Sequence, residues 1–461
     1  MLTDIFKEST SLFLDNADTV LRGQENRQRA AVLLNGSLVT NVRAETKGVS
    51  ALVYKNGSYG FASTIDYSKE GAALVLNEAK NNALFLNSKE PRNLRPFRKE
   101  EKSNIETERK IIDCTQKEII DRLKEIDSYI AKKYPSLSSR SIIYKEDSQD
   151  KIIYTSSASN GHVINPRCFI YVSLTATTDR GEPVMLTDVY GGKGSLYNYF
   201  AGIRWLFPLI DDLYLRLMAK REGIYAEAGE KTVILGGLLA GMLAHEAVGH
   251  TVEADLVRGG SVASSLLNKE VASPLVNLVD FAHTAFGHSV PLPIALDDEG
   301  IVAEDAVLIR DGILVGYMNN RESAEHYGVK PQGNARAWSY SDEPIIRMRN
   351  TAILPGKDTL EDMISSIDDG YYFIDTNNGQ ADLTGEFMFG TTMGYEIKKG
   401  KLGKAILDTT VSGIAFSMLK TVDMISDKVE WSAAGMCGKK QMIPVGLGGP
   451  ALRCRIMVGG R

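Results

Sequence analysis

Apolar and polar residues alternate along this chain in two textures. Residues 1–30 open with apolar positions spaced as on one face of a helix, and turn polar toward Arg22–Arg29, which predicts a helix. Strand patterns follow. AAVLLNGSLVTNV turns at Asn35-Gly36 and SALVYKNGSYGFAST turns at Asn56-Gly57. Asn-Gly between apolar runs marks a tight hairpin, because both turn residues must take positive φ. Helical spacing returns over Ser68–Leu86, starting at a capping serine. The polar, proline-bearing stretch Ser88–Glu106 reads as a linker.

Beyond it, Thr115–Lys133 has the pattern of an amphipathic helix, closed by Pro135. Three or four strands are predicted between Ile142 and Val189, then a helix rich in apolar and aromatic residues over Leu196–Arg221. From about Pro293 to the end, short apolar runs alternate with Gly, Asn and Asp turns, the mark of an antiparallel sheet or barrel. The fold class is therefore α+β. An N-terminal α/β portion of hairpins and helices leads to a β-rich C-terminal domain, entered by a motif-bearing helix. The expected units are residues 1–106, 107–225 and 226–461.

Composition narrows the function. The chain has 461 residues and a net charge of −5, so a general nucleic-acid surface is not expected. Polar residues interrupt the N-terminus, so no secretion signal is expected, and the apolar run Ile234–Ala247 is too short to span a membrane. Cys114, Cys168, Cys437 and Cys454 are scattered, as free thiols in a reducing cytoplasm would be. Gly191–Ser195 (GGKGS) lacks the spacing of a phosphate-binding loop and reads as a flexible connection.

The chemistry gathers at AHEAVGH, Ala244–His250. Zinc hydrolases place two imidazoles on one helix face and a carboxylate beside the first, where it can reach water without ligating the ion. Glu246 has that placement. His245 and His250, however, are five residues apart. On an α-helix that separation turns them about 140° from each other. Either a π-type turn, or a helix loosened at Gly249, would bring them together. A further ligand is needed, and Glu253, Cys437 and Cys454 are the candidates.

Larger segments carry a resemblance. His245–His250 followed by Val252–Asp255, with Asp297–Gly300 (DDEG), Gly316–Ala324, Arg347–Thr351 (RMRNT), Asn377–Phe387 and the tail from Gly435, is similar to the TldD/PmbA family of peptidases, in its metal-bearing TldD branch. The resemblance covers nearly the whole chain. It implies that Cys437 is the third zinc ligand and Cys454 a buried apolar group. Glu253 is then left to orient a histidine from behind. The family's C-G-K-x-G-Q here reads Cys437-Gly438-Lys439-Lys440-Gln441, one residue shorter and without its second glycine.

The resemblance further implies a zinc-dependent, cytoplasmic peptidase acting on unfolded or short peptides held extended against a sheet edge. It implies a heterodimer with a metal-free PmbA/TldE-type paralogue, a homodimer being the alternative; net charge and the short apolar run add the expectation of no nucleic acid and no membrane. In this scheme Glu246 is the general base, and DDEG, RMRNT and Asn377–Asp382 are pocket-lining loops or plain turns. The competing expectation is a non-catalytic peptide-binding or regulatory protein whose metal is structural.

Overall fold

The computed structural model describes residues 2–92, 97–107 and 114–460. Part of the expected linker Ser88–Glu106, residues 93–96, lies outside the described residues. So do residues 108–113, beside the expected unit boundary at 106/107. The structure is α+β, as the sequence pattern predicts.

One sheet has seven strands. From its outer edge they run Ser58–Thr64, Ser37–Lys55, Asp18–Leu34, Ser139–Thr155 and Asn160–Thr177, all antiparallel. Pro183–Lys193 and the short Asn104–Glu106 both pair with the last of these, at opposite ends. The linker expectation is thus corrected at Asn104–Glu106, which is a parallel strand. Asn35-Gly36 and Asn56-Gly57 turn as predicted, with φ of 50° and 83°, and 52° and 93°. Helix Gln116–Lys133 begins in a capping box of Thr115 and Glu118. It buries Ile119, Leu123, Ile126 and Ile130 against Ile142, Ile170 and Val172 of the sheet.

The helix expected over residues 1–30 is wrong beyond its start. A helix spans Leu2–Ser9, and Asp18–Leu34 is a central strand. Its polar character misleads because one face of the strand buries polar groups. Arg22, Gln24 and Asn26 alternate on that face and are nearly fully buried. Their side chains donate to the carbonyls of Asp342, Trp338 and Trp338, at 2.7, 2.6 and 2.6 Å. A period-2 pattern of buried polar groups carries no hydrophobic signal. The expected helix Leu196–Arg221 is two helices, Leu196–Phe200 and Leu206–Arg221.

The C-terminal half holds an eleven-stranded sheet. Five of its strands close on themselves: Gly229–Leu235, Asp369–Ala381, Glu386–Lys398, Thr409–Ile414 and Gln441–Val458. The last strand pairs with both the first and the fourth, which completes the barrel. Leading out of Gly229–Leu235, a helical segment, Gly237–Val252, packs with the barrel. Its Leu239, Leu243, Ala244 and Ala247 share one core with Phe373, Phe387, Phe389, Val411 and Leu452 of the strands. Between residues 293 and 353 regular structure is sparse, with strands of two to five residues instead of a run of hairpins. Among the described residues no helix is long and apolar enough to cross a membrane.

Candidate metal centre

The barrel helix changes pitch where the histidines lie. Gly237–Met242 is α-helical and Leu243–Gly249 is π-helical. The His250 amide donates to the His245 carbonyl, five residues back, in the bonding pattern that a five-residue spacing needs. Of the two repairs open to the sequence, the π-turn is present. Gly249 is not a loosened point, since its φ of −53° and ψ of −50° are ordinary helical values. It is needed for space instead: a Cβ there would stand 2.1 Å from Met348 Sδ and 3.1 Å from the Ala244 carbonyl.

The two imidazoles face one another, with centroids 5.3 Å apart and planes at 82°. His245 is 1 % exposed and neither ring nitrogen has a hydrogen-bond partner. Burial holds its pKa well below the usual imidazole value, so the ring is neutral. A buried neutral imidazole with two orphan nitrogens is costly unless something takes its lone pair. His250 is held from behind, its Nδ1 lying 2.9 Å from Glu253 Oε2, which leaves Nε2 pointing forward. Glu253 is fully buried, and Lys439 Nζ sits 3.2 Å from the same carboxylate oxygen and 2.8 Å from Asp255.

Cys437 arrives on the strand Met424–Lys439, which pairs along one side with Gln441–Val458. Its Sγ lies 3.2 Å from His250 Nε2. One donor atom from each of His245, His250 and Cys437 lies within 4.8 Å of the other two. The strand is pinned there by fully buried Arg347, whose guanidinium donates to the carbonyls of Cys437 and Gln441 at 2.6 and 2.8 Å. Burial works against a proton on His250, yet the Cys437 sulfur and the Glu253 carboxylate hold its pKa up to about 10. A proton and a metal cation are drawn by the same negative surroundings. Two imidazoles and a thiol on one point are a donor set suited to zinc.

Glu246 follows His245 and turns its carboxylate to within 3.7 Å of His250 Nε2 and 4.0 Å of His245 Nε2. Burial pushes its pKa up. With His245 it forms part of the wall of a cleft of about 1210 Å³ that runs between the barrel and the seven-stranded sheet. Asn377–Gly379, the strand stretch Glu430–Met436 and Thr187–Lys193 supply other walls.

Of the segments expected to line a pocket, only Asn377–Gly379 reaches this cleft; Gly191–Lys193, expected as part of a flexible connection, instead ends the strand Pro183–Lys193 and lines the cleft from there. Asp297 instead accepts backbone bonds from Glu299, Ile301 and Ala335, and Asp298 binds Lys151 and Arg22 at 2.8 and 3.1 Å. Arg349 pairs with Asp280 at 2.8 Å, both fully buried. These loops brace the site's supports. Cys454 lies on the barrel strand opposite Val233, with burial pushing its thiol up to about 12. Cys114 and Cys168 lie in the core of the other sheet. Sequence reasoning missed Glu430–Met436 and Thr187–Lys193 as cleft walls. Both belong to edge strands, and nothing in local sequence marks an edge.

Comparison with known proteins adds to this geometry. The PmbA/TldA metallopeptidase C-terminal domain matches residues 228–460, with the family's central domain at 109–235 and its domain 1 at 20–83. A Haemophilus influenzae protein named Metalloprotease TldD homolog is 37 % identical over 56 % of this chain and 56 % of its own length. The matched part thus spans little more than half of that relative. A Saccharolobus solfataricus protein named Zinc metalloprotease TldD homolog is 30 % identical over 76 % of this chain and 78 % of its own. In fold, the chain is similar to the crystal structure of TldE from Thermococcus kodakarensis, with a TM-score of 0.74, 15 % identity, and 99 % of each chain covered.

Proposed function

The chain belongs to the PmbA/TldD metallopeptidase family, and on that premise we propose that it hydrolyses unfolded or short peptides with a zinc ion held by His245, His250 and Cys437. The observation that carries this is the convergence of the three donors within 4.8 Å, with both nitrogens of buried His245 left unpartnered. Zinc bound there would supply Lewis acidity for the scissile carbonyl and acidify water near neutral pH.

The chain's own residues do the rest. Glu246, on the cleft wall with a pKa raised by burial, takes the attacking water's proton and returns it to the leaving amine. Glu253 accepts the Nδ1 proton of His250, fixing the ring with Nε2 forward. Three protein donors beside a cleft of about 1210 Å³ support an open coordination position, whereas a structural zinc is closed by four.

Substrate is held extended. Between Glu430 and Gly435 the strand leading to Cys437 pairs on one side only, and this stretch lines the cleft. Its backbone edge, which no other strand takes among the described residues and on which only Arg167 reaches a carbonyl, that of Ala433 at 3.2 Å, takes a peptide by strand addition with little regard for side chains. A folded protein cannot offer such a segment. The chain works in the cytoplasm with a metal-free paralogue or a second copy. Supporting that pairing, Leu38 and Val39 are 43 % and 56 % exposed on the outer part of Ser37–Lys55. Along that part the strand has only one neighbour among the described residues.

The test measures zinc content and cleavage of unfolded peptides for the wild type and Glu246→Ala, with the paralogue present. Zinc retained and cleavage lost is the expected result. Undiminished cleavage in the variant removes Glu246 from the mechanism. A zinc-loaded wild type that binds peptides without cutting them establishes the non-catalytic alternative.

A further inference from the structure

A second, smaller pocket of about 310 Å³ adjoins the cleft and shares Phe169, Tyr171, Ala434 and Met436 with it. We infer that this pocket is a subsite for one apolar side chain of the bound peptide, so that the site prefers substrates with a leucine- or phenylalanine-like residue to one side of the scissile bond. The inference rests on the peptidase proposal and sharpens its substrate class.

The lining favours an apolar occupant. Phe169 and Tyr171 are two apart on the strand Asn160–Thr177 and so face the same way. Trp338, Val42 and Met436 complete the apolar surface, with Val42 and Met436 still 50 % and 43 % exposed. Charged groups on the wall are engaged with one another: Arg29 with Glu146 at 2.6 Å and Arg167 with Asp147 at 2.7 Å. Lys145 lies over the Tyr171 ring, 5.3 Å from its centroid. A charged occupant would therefore lose water and, apart from exposed Lys145, meet partners already taken.

The pocket is also built to hold its shape. The Trp338 amide donates to Gln441 Oε1 at 2.6 Å. Its carbonyl accepts from Gln24, Asn26 and Gln149 at 2.6, 2.6 and 2.7 Å. An occupant meets a wall whose ordering cost was met on folding. Placement ties the pocket to the chemistry. Ala434 and Met436 line both the pocket and the cleft that His245 and Glu246 wall, so a peptide lying along Glu430–Gly435 passes the pocket mouth within the same cleft.

The experiment uses zinc-loaded Glu246→Gln protein, with the paralogue present, and fluorescent Gly/Ser-based peptides carrying a single Leu, Phe, Ala, Lys or Glu, read by anisotropy. Leu and Phe peptides should bind ~10-fold or more tightly than the others, the discrimination expected of one buried apolar side chain. Ala44→Phe, at an exposed position on the pocket rim, fills the space without disturbing the core. Met436→Lys places a cation in it. Both should bring the preference close to one while zinc content and melting temperature stay as in the parent. Equal binding of all peptides, or a preference that survives both variants, overturns the subsite and leaves the peptidase proposal standing. Failure to bind any peptide overturns both.

Discussion

Cys437 Sγ stands 3.2 Å from His250 Nε2, although the two residues are 187 positions apart in the chain. The contact exists because two separate devices deliver the atoms. Arg347 pins the strand that carries the sulfur, and Glu253 pins the ring that carries the nitrogen. Each device can be removed singly.

The sulfur comes first. Cys437→Ser should weaken zinc binding more than ~100-fold, exceeding the loss usual for a group behind a ligand. Cys454→Ser, in the barrel wall, should leave affinity unchanged. Competition with a chromophoric chelator reads both, and the reverse outcome would reassign the ligand.

The supports behind His250 should matter less than a ligand but measurably. Glu253→Ala should lower zinc affinity ~10- to 100-fold and alter the visible spectrum of the cobalt-substituted protein. Lys439→Met reaches His250 through Glu253 and also frees Asp255, so its effect on the metal centre should be smaller and of the same kind. An unchanged cobalt spectrum in both would show that His250 is oriented by packing alone.

Gly249→Ala drives a methyl into Met348 and should cost about 1–3 kcal/mol of stability. Shortening the obstacle tests the cause. In a double-mutant cycle with Met348→Ala, the coupling should be favourable by about 0.5–3 kcal/mol. Strict additivity in denaturant melts would mean that the close approach is not what demands glycine.

The shortened tail motif makes a different prediction. Lys439 and Gln441 pair directly, and Lys440 alone makes the turn with a φ of 58°. A left-handed lysine costs roughly 1–2 kcal/mol, against roughly 0.5–1 kcal/mol lost to glycine's extra freedom. Lys440→Gly should therefore raise stability by up to about 1.5 kcal/mol and leave zinc affinity alone. A lower melting temperature would mean that the lysine side chain has a role the backbone does not reveal.

Much of this was legible before any coordinates. The Asn-Gly turns, the capped helix at Thr115 and the β-rich second half all declare themselves through local rules: positive φ, an orphan amide, an alternating pattern. The strand Asp18–Leu34 did not, because its buried face is made of Arg22, Gln24 and Asn26. Their partners lie more than three hundred residues away, in Trp338–Asp342.

The site divides along the same line. By itself, the sequence determined that His245 and His250 need an abnormal turn to meet, since the helix repeat is a property of any backbone, and it set Glu246 beside them. Which repair was used, why Gly249 had to be glycine, and that edge strands wall the cleft were decided by tertiary structure alone. Each depends on what another part of the chain places nearby: Met348 against the turn, Arg347 behind Cys437, and, among the described residues, no second strand paired with Glu430–Gly435. Proximity of that kind comes from the packing of whole elements and leaves no trace in neighbouring residues.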